Sequence, residues 1–369
     1  MGKTPARANE KYWTNGKYPW VSISDLSSGN KYITNTKEKI SQEAVDETRI
    51  YLVPKGTVIM SFKLSIGKTA IAPFNLYTNE AIMAFEPKDG VDIIPDFLYY
   101  YLQYYKWSGN RAVMGETINK AVISNSYACI PPISIQESIV RELDAIHGIL
   151  EKKQEQLREL DNLTQAIFYD MFGDPITNPK QWEVKKLGEV TYIGLGFTHT
   201  PTYVDNGVPF LSVKDITNGK ICWENIKYVS HEEYKSAPKG ALPKKGDILF
   251  CRVGTLGKPI IVDTERDFCT FVSLGYLRIN QTVANNIYVK CWMESDAFIS
   301  QVNKSVKGVA IKNLNTGWLK EFVIPLPPLS LQQSFAAKIE AIEAQKQTIQ
   351  QSIREVEALL AERIDHYFS

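Results

Sequence analysis

Pro131-Pro132-Ile133-Ser134-Ile135-Gln136-Glu137-Ser138 recurs as Pro327-Pro328-Leu329-Ser330-Leu331-Gln332-Gln333-Ser334, an offset of 196 that runs without a gap to Met171-Phe172 against Tyr367-Phe368. Upstream of each copy the chain repeats again at an offset of 190. Pro19-Trp20-Val21-Ser22-Ile23-Ser24-Asp25-Leu26 matches Pro209-Phe210-Leu211-Ser212-Val213-Lys214-Asp215-Ile216, and Lys55-Gly56-Thr57-Val58-Ile59-Met60 matches Lys245-Gly246-Asp247-Ile248-Leu249-Phe250. The order is therefore A–B–A′–B′. A period near half of the 369 residues means two duplicated modules, because stacked repeat proteins recur every ~20–50 residues. A molecule of two similar halves is suited to a target that itself has two similar halves.

The B modules read as long helices. Each Pro-Pro stop is followed by Ser134-x-x-Glu137 or Ser330-x-x-Gln333, a capping-box pattern that predicts a helix start. Beyond it Ile139, Leu143, Ile146, Leu150, Leu157, Leu160 and Ile167 keep a 4–3 spacing, interrupted by Lys153 and Thr164. The counterparts are Phe335, Ile339, Ile342, Ile349, Ile353, Val356 and Leu360, interrupted by Lys346 and Arg363. Such a repeat specifies a narrow seam for one partner helix. Gly173 is placed to end the first helix, and Pro175 forbids its continuation. Residues 134–172 at ~1.5 Å rise give a rod of about 58 Å. A seam can also cover its own neighbouring domain, but helices in that role run to only ~10–14 residues. Pairing of the two rods is the expectation. A compact A′ would bring the end of the first rod to the start of the second, which makes the pairing antiparallel.

The A modules read as mixed α/β heads. Alternation and β-branched content predict strands around Trp20–Ile23, Val58–Ser61, Ala81–Phe85, Phe210–Val213, Asp247–Cys251 and Leu274–Ile279. Tyr- and Phe-rich runs such as Phe97–Tyr105 predict helices packed on a sheet. The expected fold class is α+β: two mixed heads separated by two long helices in an antiparallel coiled coil, a pseudo-twofold circular repeat. The expected boundaries are 1–130, 131–175, 176–326 and 327–369. A and A′ match in blocks and diverge between them, as a shared scaffold with different surfaces would.

The formal net charge of +1 conceals a partition. Residues 1–130 and 173–326 carry +3 and +4, whereas 131–172 and 327–369 carry −4 and −2. The heads are mildly basic and the helices acidic, a weaker bias than the pI above ~9 of strong nucleic-acid binders. No window approaches the ~18 apolar residues of a membrane span, and the polar amino terminus has no signal-peptide core. Five cysteines without a Cys-x-x-Cys pair, beside four histidines, read as reduced cytosolic thiols rather than a zinc site.

Motifs for self-contained chemistry are broken or missing. Ile66-Gly67-Lys68-Thr69 resembles the end of a phosphate loop, but Phe62 stands where the first glycine belongs, and the copy Leu256-Gly257-Lys258-Pro259 lacks the hydroxyl for magnesium. Asp174 with Glu183-x-Lys185 resembles a nuclease triad, yet Glu183-Val184-Lys185 fits the first strand of A′ better. Asn-Pro-Pro-aromatic and Gly-x-Ser-x-Gly do not occur. These absences favour binding over catalysis.

What remains is a basic, glycine-flanked hairpin in each head, Phe62-Lys63-Leu64-Ser65-Ile66-Gly67-Lys68 and Arg252-Val253-Gly254-Thr255-Leu256-Gly257-Lys258. Gly-rich turns let backbone and long cations approach DNA closely; lysines suit phosphates, and an arginine can read guanine bidentately. The candidate DNA-binding residues are Lys55, Lys63, Lys68, Asn119, Lys120, Lys214, Lys244, Lys245, Arg252, Lys258, Lys312 and Asn313. Solvated surface charge is the other reading of each.

The order head–helix–head–helix, with Pro-Pro-x-Ser-x-Gln opening each helix, resembles the specificity subunit of type I restriction–modification systems. Gly2-Lys3-Thr4-Pro5 followed by Tyr12-Trp13-x-Asn15-Gly16-x-x-Pro19-Trp20 is similar to the start of a target recognition domain in that family. Trp182-Glu183-Val184-Lys185-Lys186-Leu187-Gly188-Glu189-Val190 is similar to the lead-in joining a helix to the next such domain. Its counterpart ahead of the first head would fall before residue 1, so that head is expected to lack it. The resemblance implies that each head reads one half of a bipartite double-stranded DNA site while the helices fix the gap and dock two modification subunits. It implies a non-catalytic chain that binds no cofactor itself. S-adenosylmethionine for adenine N6-methylation belongs to the modification subunits, and ATP and Mg to the restriction subunits. A cytoplasmic setting without membrane contact is implied as well. The other expectation carried forward is a coiled-coil scaffold that does not recognise DNA.

Overall fold

Both Pro-Pro stops lead into 40-residue helices, Ile133–Phe172 and Leu329–Phe368, in the computed structural model, which describes residues 1–368 apart from 28, 64, 108–109, 113–114, 119, 218, 239–240 and 308–312. Two compact units form, Met1–Gln154 with Gln351–Ser369 and Glu155–Gln350. The division falls inside both helices, so each unit holds one head and a segment of each helix.

The two heads are built from the same pair of small sheets. In the first, one sheet has the order Glu38–Ile40, Tyr18–Val21, Tyr77–Thr78, and the other the order Thr69–Ile71, Val58–Ser61, Ile82–Phe85. In the second head, Val208–Leu211 lies between Lys227–Val229 and Cys269–Thr270, and Ile248–Cys251 between Pro259–Ile261 and Leu274–Ile279. Registers agree: Trp20 faces Glu38 and Tyr77, as Phe210 faces Lys227 and Cys269. Likewise Val58 faces Phe85 where Ile248 faces Leu277. The strands expected at Trp20–Ile23 and Phe210–Val213 end early, at Val21 and Leu211. Ser22 and Ser212 turn the chain there into a single helical turn, each closed by a capping box with Asp25 or Asp215.

The second head carries further elements, among them a segment that joins the first long helix to its sheets. Glu183–Lys186 pairs with Val323–Leu326, a short turn Leu187–Val190 follows, and Thr191–Leu195 pairs with Leu274–Ile279.

Each head presents a helix to the long helices. Pro95–Tyr104 buries Phe97, Tyr100 and Leu102 in a core shared with Val58, Met60, Ile139 and Leu143. Asn286–Glu294 buries Tyr288, Val289 and Trp292 with Phe335, Ile339 and Ile342. At ~1.5–3 kcal/mol for each large apolar side chain, these ends of the seam carry most of its burial. Ile146 is buried too, whereas Leu150, Leu157, Leu160, Ile349, Ile353, Val356 and Leu360 are only half-buried. Within each unit the seam does both jobs, docking on a head and pairing the two helices. In the second unit the helices run antiparallel: Lys346 pairs with Asp161 at 2.5 Å, and Phe335 packs on Phe168 and Phe172. In the first unit Arg363 pairs with Glu142 at 2.7 Å. The two cations that interrupt the seam of the second helix thus hold it to the first.

The helices begin at Ile133 and Leu329, which places Ser134 and Ser330 inside the first turn rather than at the expected cap. The motif residue that fixes each start is the glutamine. Gln136 is fully buried; its Oε1 accepts from the Ile94 amide at 2.9 Å, and its Nε2 donates to the carbonyls of Asp92 and Pro131 at 2.8 and 2.7 Å. Gln332 is equally buried, accepting from Asn285 N at 2.9 Å and donating to Pro327 O at 2.8 Å. One side chain thus ties the loop before each head helix to the proline turn, satisfying backbone groups that burial would otherwise orphan.

Candidate nucleic-acid interface

The hairpins close alike. Gly67 and Gly257 both take positive φ (84° and 76°) and donate back to Ser61 O and Cys251 O at 3.0 and 2.7 Å. At Gly257 a Cβ would lie 2.6 Å from the Phe298 ring, so glycine is required on two counts. Lys258 is exposed and Lys68 half-buried, its Nζ 2.7 Å from Ser27 Oγ. Lys63 is half-buried with its Nζ 5.4 Å from the Phe62 ring centre.

Arg252 does not face outward as expected. It is 8% exposed, and its guanidinium donates to Leu314 O at 3.0 Å and Val272 O at 2.8 Å. Desolvation draws its pKa below the usual arginine value. The repeat register explains the placement, because Arg252 occupies the position of Phe62, itself 2% exposed. In the first head Phe62 O accepts from Ile118 N; in the second, Arg252 O accepts from Leu314 N. Arg252 is a core bracket that holds two backbone carbonyls.

The remaining candidates scatter. Lys55, Lys244 and Lys245 precede the matching strands on exposed positions, with Lys245 3.1 Å from Glu265. Asn313 is exposed. Asn119 and Lys312 lie outside the described residues; Lys120 opens the short helix Lys120–Ser124, and its side chain is not described. The suspected nuclease set is structural: Asp174 Oδ1 accepts from Ile176 N at 2.9 Å, and Glu183 and Lys185 pair with each other at 3.3 Å on a strand. Among the described residues no cluster of histidine, cysteine or carboxylate is arranged to hold a metal.

Lys214 belongs to a feature the sequence did not single out. It borders a concavity of about 140 Å³ in the second head together with Tyr203, Phe210, Ser212, Lys227 and Phe271. Lys227 Nζ sits 3.9 Å from the Tyr203 ring centre. This places two exposed cations and an aromatic face around one opening, a combination suited to phosphate contact and stacking on a base. The first head has a different set in the matching place. Glu38 stands where Lys227 does, opposite Trp20, and holds Arg7, whose guanidinium lies 3.9 Å from the Trp13 ring centre and 4.9 Å from that of Trp20. The Glu38 hydrogen bond raises the Arg7 pKa further. The signal was present in the sequence as Pro-Trp against Pro-Phe and Lys-Glu-Lys against Ile-Lys-Tyr, but the register that superimposes them is set by strand pairing.

The comparisons with known proteins agree with this architecture. The profile described as type I restriction modification DNA specificity domain matches residues 1–160 and 179–358. The MjaIX specificity subunit of Methanocaldococcus jannaschii is 26% identical, over 92% of this chain and 83% of that protein. The EcoBI specificity subunit of Escherichia coli is 18% identical, over 67% of this chain and 57% of its own length. Among solved structures, a chain from work on complex assembly and conformational transition of the type I R-M system covers all of this chain and 94% of its own, with a TM-score of 0.61 at 19% identity. The type I restriction-modification S subunit from M. genitalium covers 99% and 91%, with a TM-score of 0.52 at 13% identity. Two matches to one profile, one for each head with its helix, establish that the chain belongs to the type I restriction modification DNA specificity family.

Proposed function

We propose that this chain, the DNA-specificity subunit of a type I restriction–modification system, reads a split target with one head for each half, and that the two long helices set the gap. The observation that carries the reading is one scaffold built twice with opposite charge at matching positions, Glu38 and Lys227. A shared scaffold gives both heads the same approach to DNA; different side chains give them different words to read. Rigid spacing of two readers restricts half-site centres to about one helical turn, ~10–10.5 bp, or a multiple. Residues 1–130 and 176–326 act as the readers, and 131–175 and 327–369 as the spacers. Lys214 and Lys227, with Lys55, Lys63, Lys68, Lys244, Lys245, Lys258 and Asn313, supply cation and amide contacts. The acidic helices dock two methyltransferase subunits, which bring S-adenosylmethionine, and restriction subunits bring ATP and Mg. The chain itself performs no chemistry and works in the cytoplasm. Among the described residues no helix is long and apolar enough to cross a membrane.

The test is single-molecule methylome sequencing of a host expressing the chain with its modification subunit. A split motif methylated at adenine on both strands, and lost when this chain is removed, is expected. An intact, cofactor-supplied complex that methylates no split motif would overturn the reading.

A further inference from the structure

Trp13 and Trp20 recur at the 190 offset as Tyr203 and Phe210, and each pair of rings meets edge to face. The ring centres are 5.0 Å apart at 85° in the first head and 5.8 Å apart at 66° in the second. A cation lies 3.9 Å from the centre of the leading ring in both, Arg7 over Trp13 and Lys227 over Tyr203. Trp20 and Phe210 hold the same place in their sheets, opposite Glu38 and Lys227. Each head therefore builds the same seat, an aromatic pair topped by a cation.

The cation reaches that seat by different routes. In the second head it stands on the strand Lys227–Val229 itself. In the first head that position is Glu38, and the cation arrives from the segment that enters the head. The two indoles fasten this segment: Trp20 Nε1 donates to Lys3 O at 3.1 Å, and Trp13 Nε1 donates to Ala6 O at 3.3 Å. Lys3 N also donates to Thr78 O at 2.8 Å. Both oxygens of Glu38 accept from the terminal nitrogens of Arg7, that of Nη2 at 3.0 Å. The Arg7 side chain nevertheless stays 52% exposed. An exposed ion pair adds little to stability, and a long side chain held in one rotamer gives up entropy. Stability alone gives no reason for two indoles, a carboxylate and a clipped backbone to converge on one surface guanidinium. Aiming it at a ligand does.

We infer that Arg7 is the residue with which the first head selects guanine, and that Glu38 is its positioning residue. The inference rests on the DNA-reading role proposed above and deepens it. A guanidinium carries paired donors in a rigid fork, which match guanine N7 and O6 in the major groove. Adenine puts a donor at the second of those places, so a fixed fork rejects it. Glu38 holds the terminal nitrogens from one side, and Nε–H with the outer hydrogens lies on the other edges of the fork. Lysine on the same seat in the second head is a flexible point charge and has no such fork.

The experiment titrates the full chain, assembled with its modification subunit, against duplexes that carry 7-deazaguanine in place of each guanine of the methylated motif in turn. The analogue replaces N7 by a C–H. At one position, in one half of the target, it should weaken the unaltered complex about fivefold or more. Arg7→Ala should bind the guanine duplex more weakly and no longer distinguish the two, and the methylated motif should then tolerate any base at that position with its other half unchanged. Glu38→Gln should lower the guanine to 7-deazaguanine ratio, which a merely structural loss, acting on both duplexes alike, would leave as it was. Lys227→Ala should leave that ratio intact. An unaltered complex indifferent to the analogue at every guanine overturns the inference without any variant, and so does an Arg7→Ala complex that keeps both ratio and motif. Either result leaves the split-target reading standing. A complex that methylates no split motif fails that reading, and the assignment of Arg7 with it.

Discussion

Replacing Gln332 by leucine removes a clamp without opening a hole, since the two side chains are close in volume. The half-buried amide of Asn285 and the buried carbonyl of Pro327 then lose partners at 2.9 and 2.8 Å. Each buried backbone group left unpaired costs ~1–3 kcal/mol, and the added apolar surface returns roughly 1 kcal/mol. The net loss is about 1–5 kcal/mol, a large share of the ~5–15 kcal/mol that holds a typical domain. Asn285 also caps the helix Asn286–Glu294, so displacing it loosens the element that carries fully buried Trp292. Urea unfolding read by tryptophan fluorescence should move the transition of the second unit to lower denaturant by about 0.3 M or more, given slopes of ~1–3 kcal/mol/M. Gln136→Leu should do the same to the first unit, through the Ile94 amide and the Asp92 and Pro131 carbonyls. A loss below about 0.5 kcal/mol in both variants would refute the clamp, because it would mean that water or a shifted backbone satisfies those groups at no cost.

Lys214→Ala with Lys227→Ala should weaken DNA retention by the assembled complex and lower its salt slope by about 1 for each phosphate left without its lysine, measured by binding titrations across ionic strength. An unchanged slope would remove that opening from the interface. Arg252→Ala should destabilise the second unit by about 2–4 kcal/mol in denaturant titration while leaving the methylated motif unaltered, because two carbonyls lose their donor in a buried place. The first unit should weaken in acid. Burial lowers the His147 pKa, so stability is lost as pH falls below its unfolded value of ~6.5. Burial alone would lift the Asp96 pKa, but Lys31 and Tyr32 outweigh it and leave it depressed, which adds a second loss below about pH 4. Thermal melts from pH 8 to 3 check this, and Lys31→Met should erase the lower step.

The duplicated frame was legible because helices and turns are written locally. A 4–3 repeat needs only its own spacing, and proline stops mark where each rod starts. The glutamines were visible in the motif, but their work was not, since their partners lie 42 and 47 residues away. The Ser-x-x-Asp boxes at Ser22 and Ser212 lie inside apolar runs that read as strand. Arg252 shows why site residues were harder. Residue type suggested a reader, while its register with Phe62 already announced a buried position. The opening bordered by Lys214 and Lys227 gathers residues from strands brought together only by pairing, which no local pattern encodes.

The charge inversion between Glu38 and Lys227 gives the molecule a direction. A dimer of identical readers can be turned end for end and find the same message, so its natural target is a palindrome. On the proposed reading, the place that offers Lys227 in one head offers Glu38 in the other, so the two heads do not read the same half. The target proposed above is then a phrase with a first half and a second half rather than a palindrome.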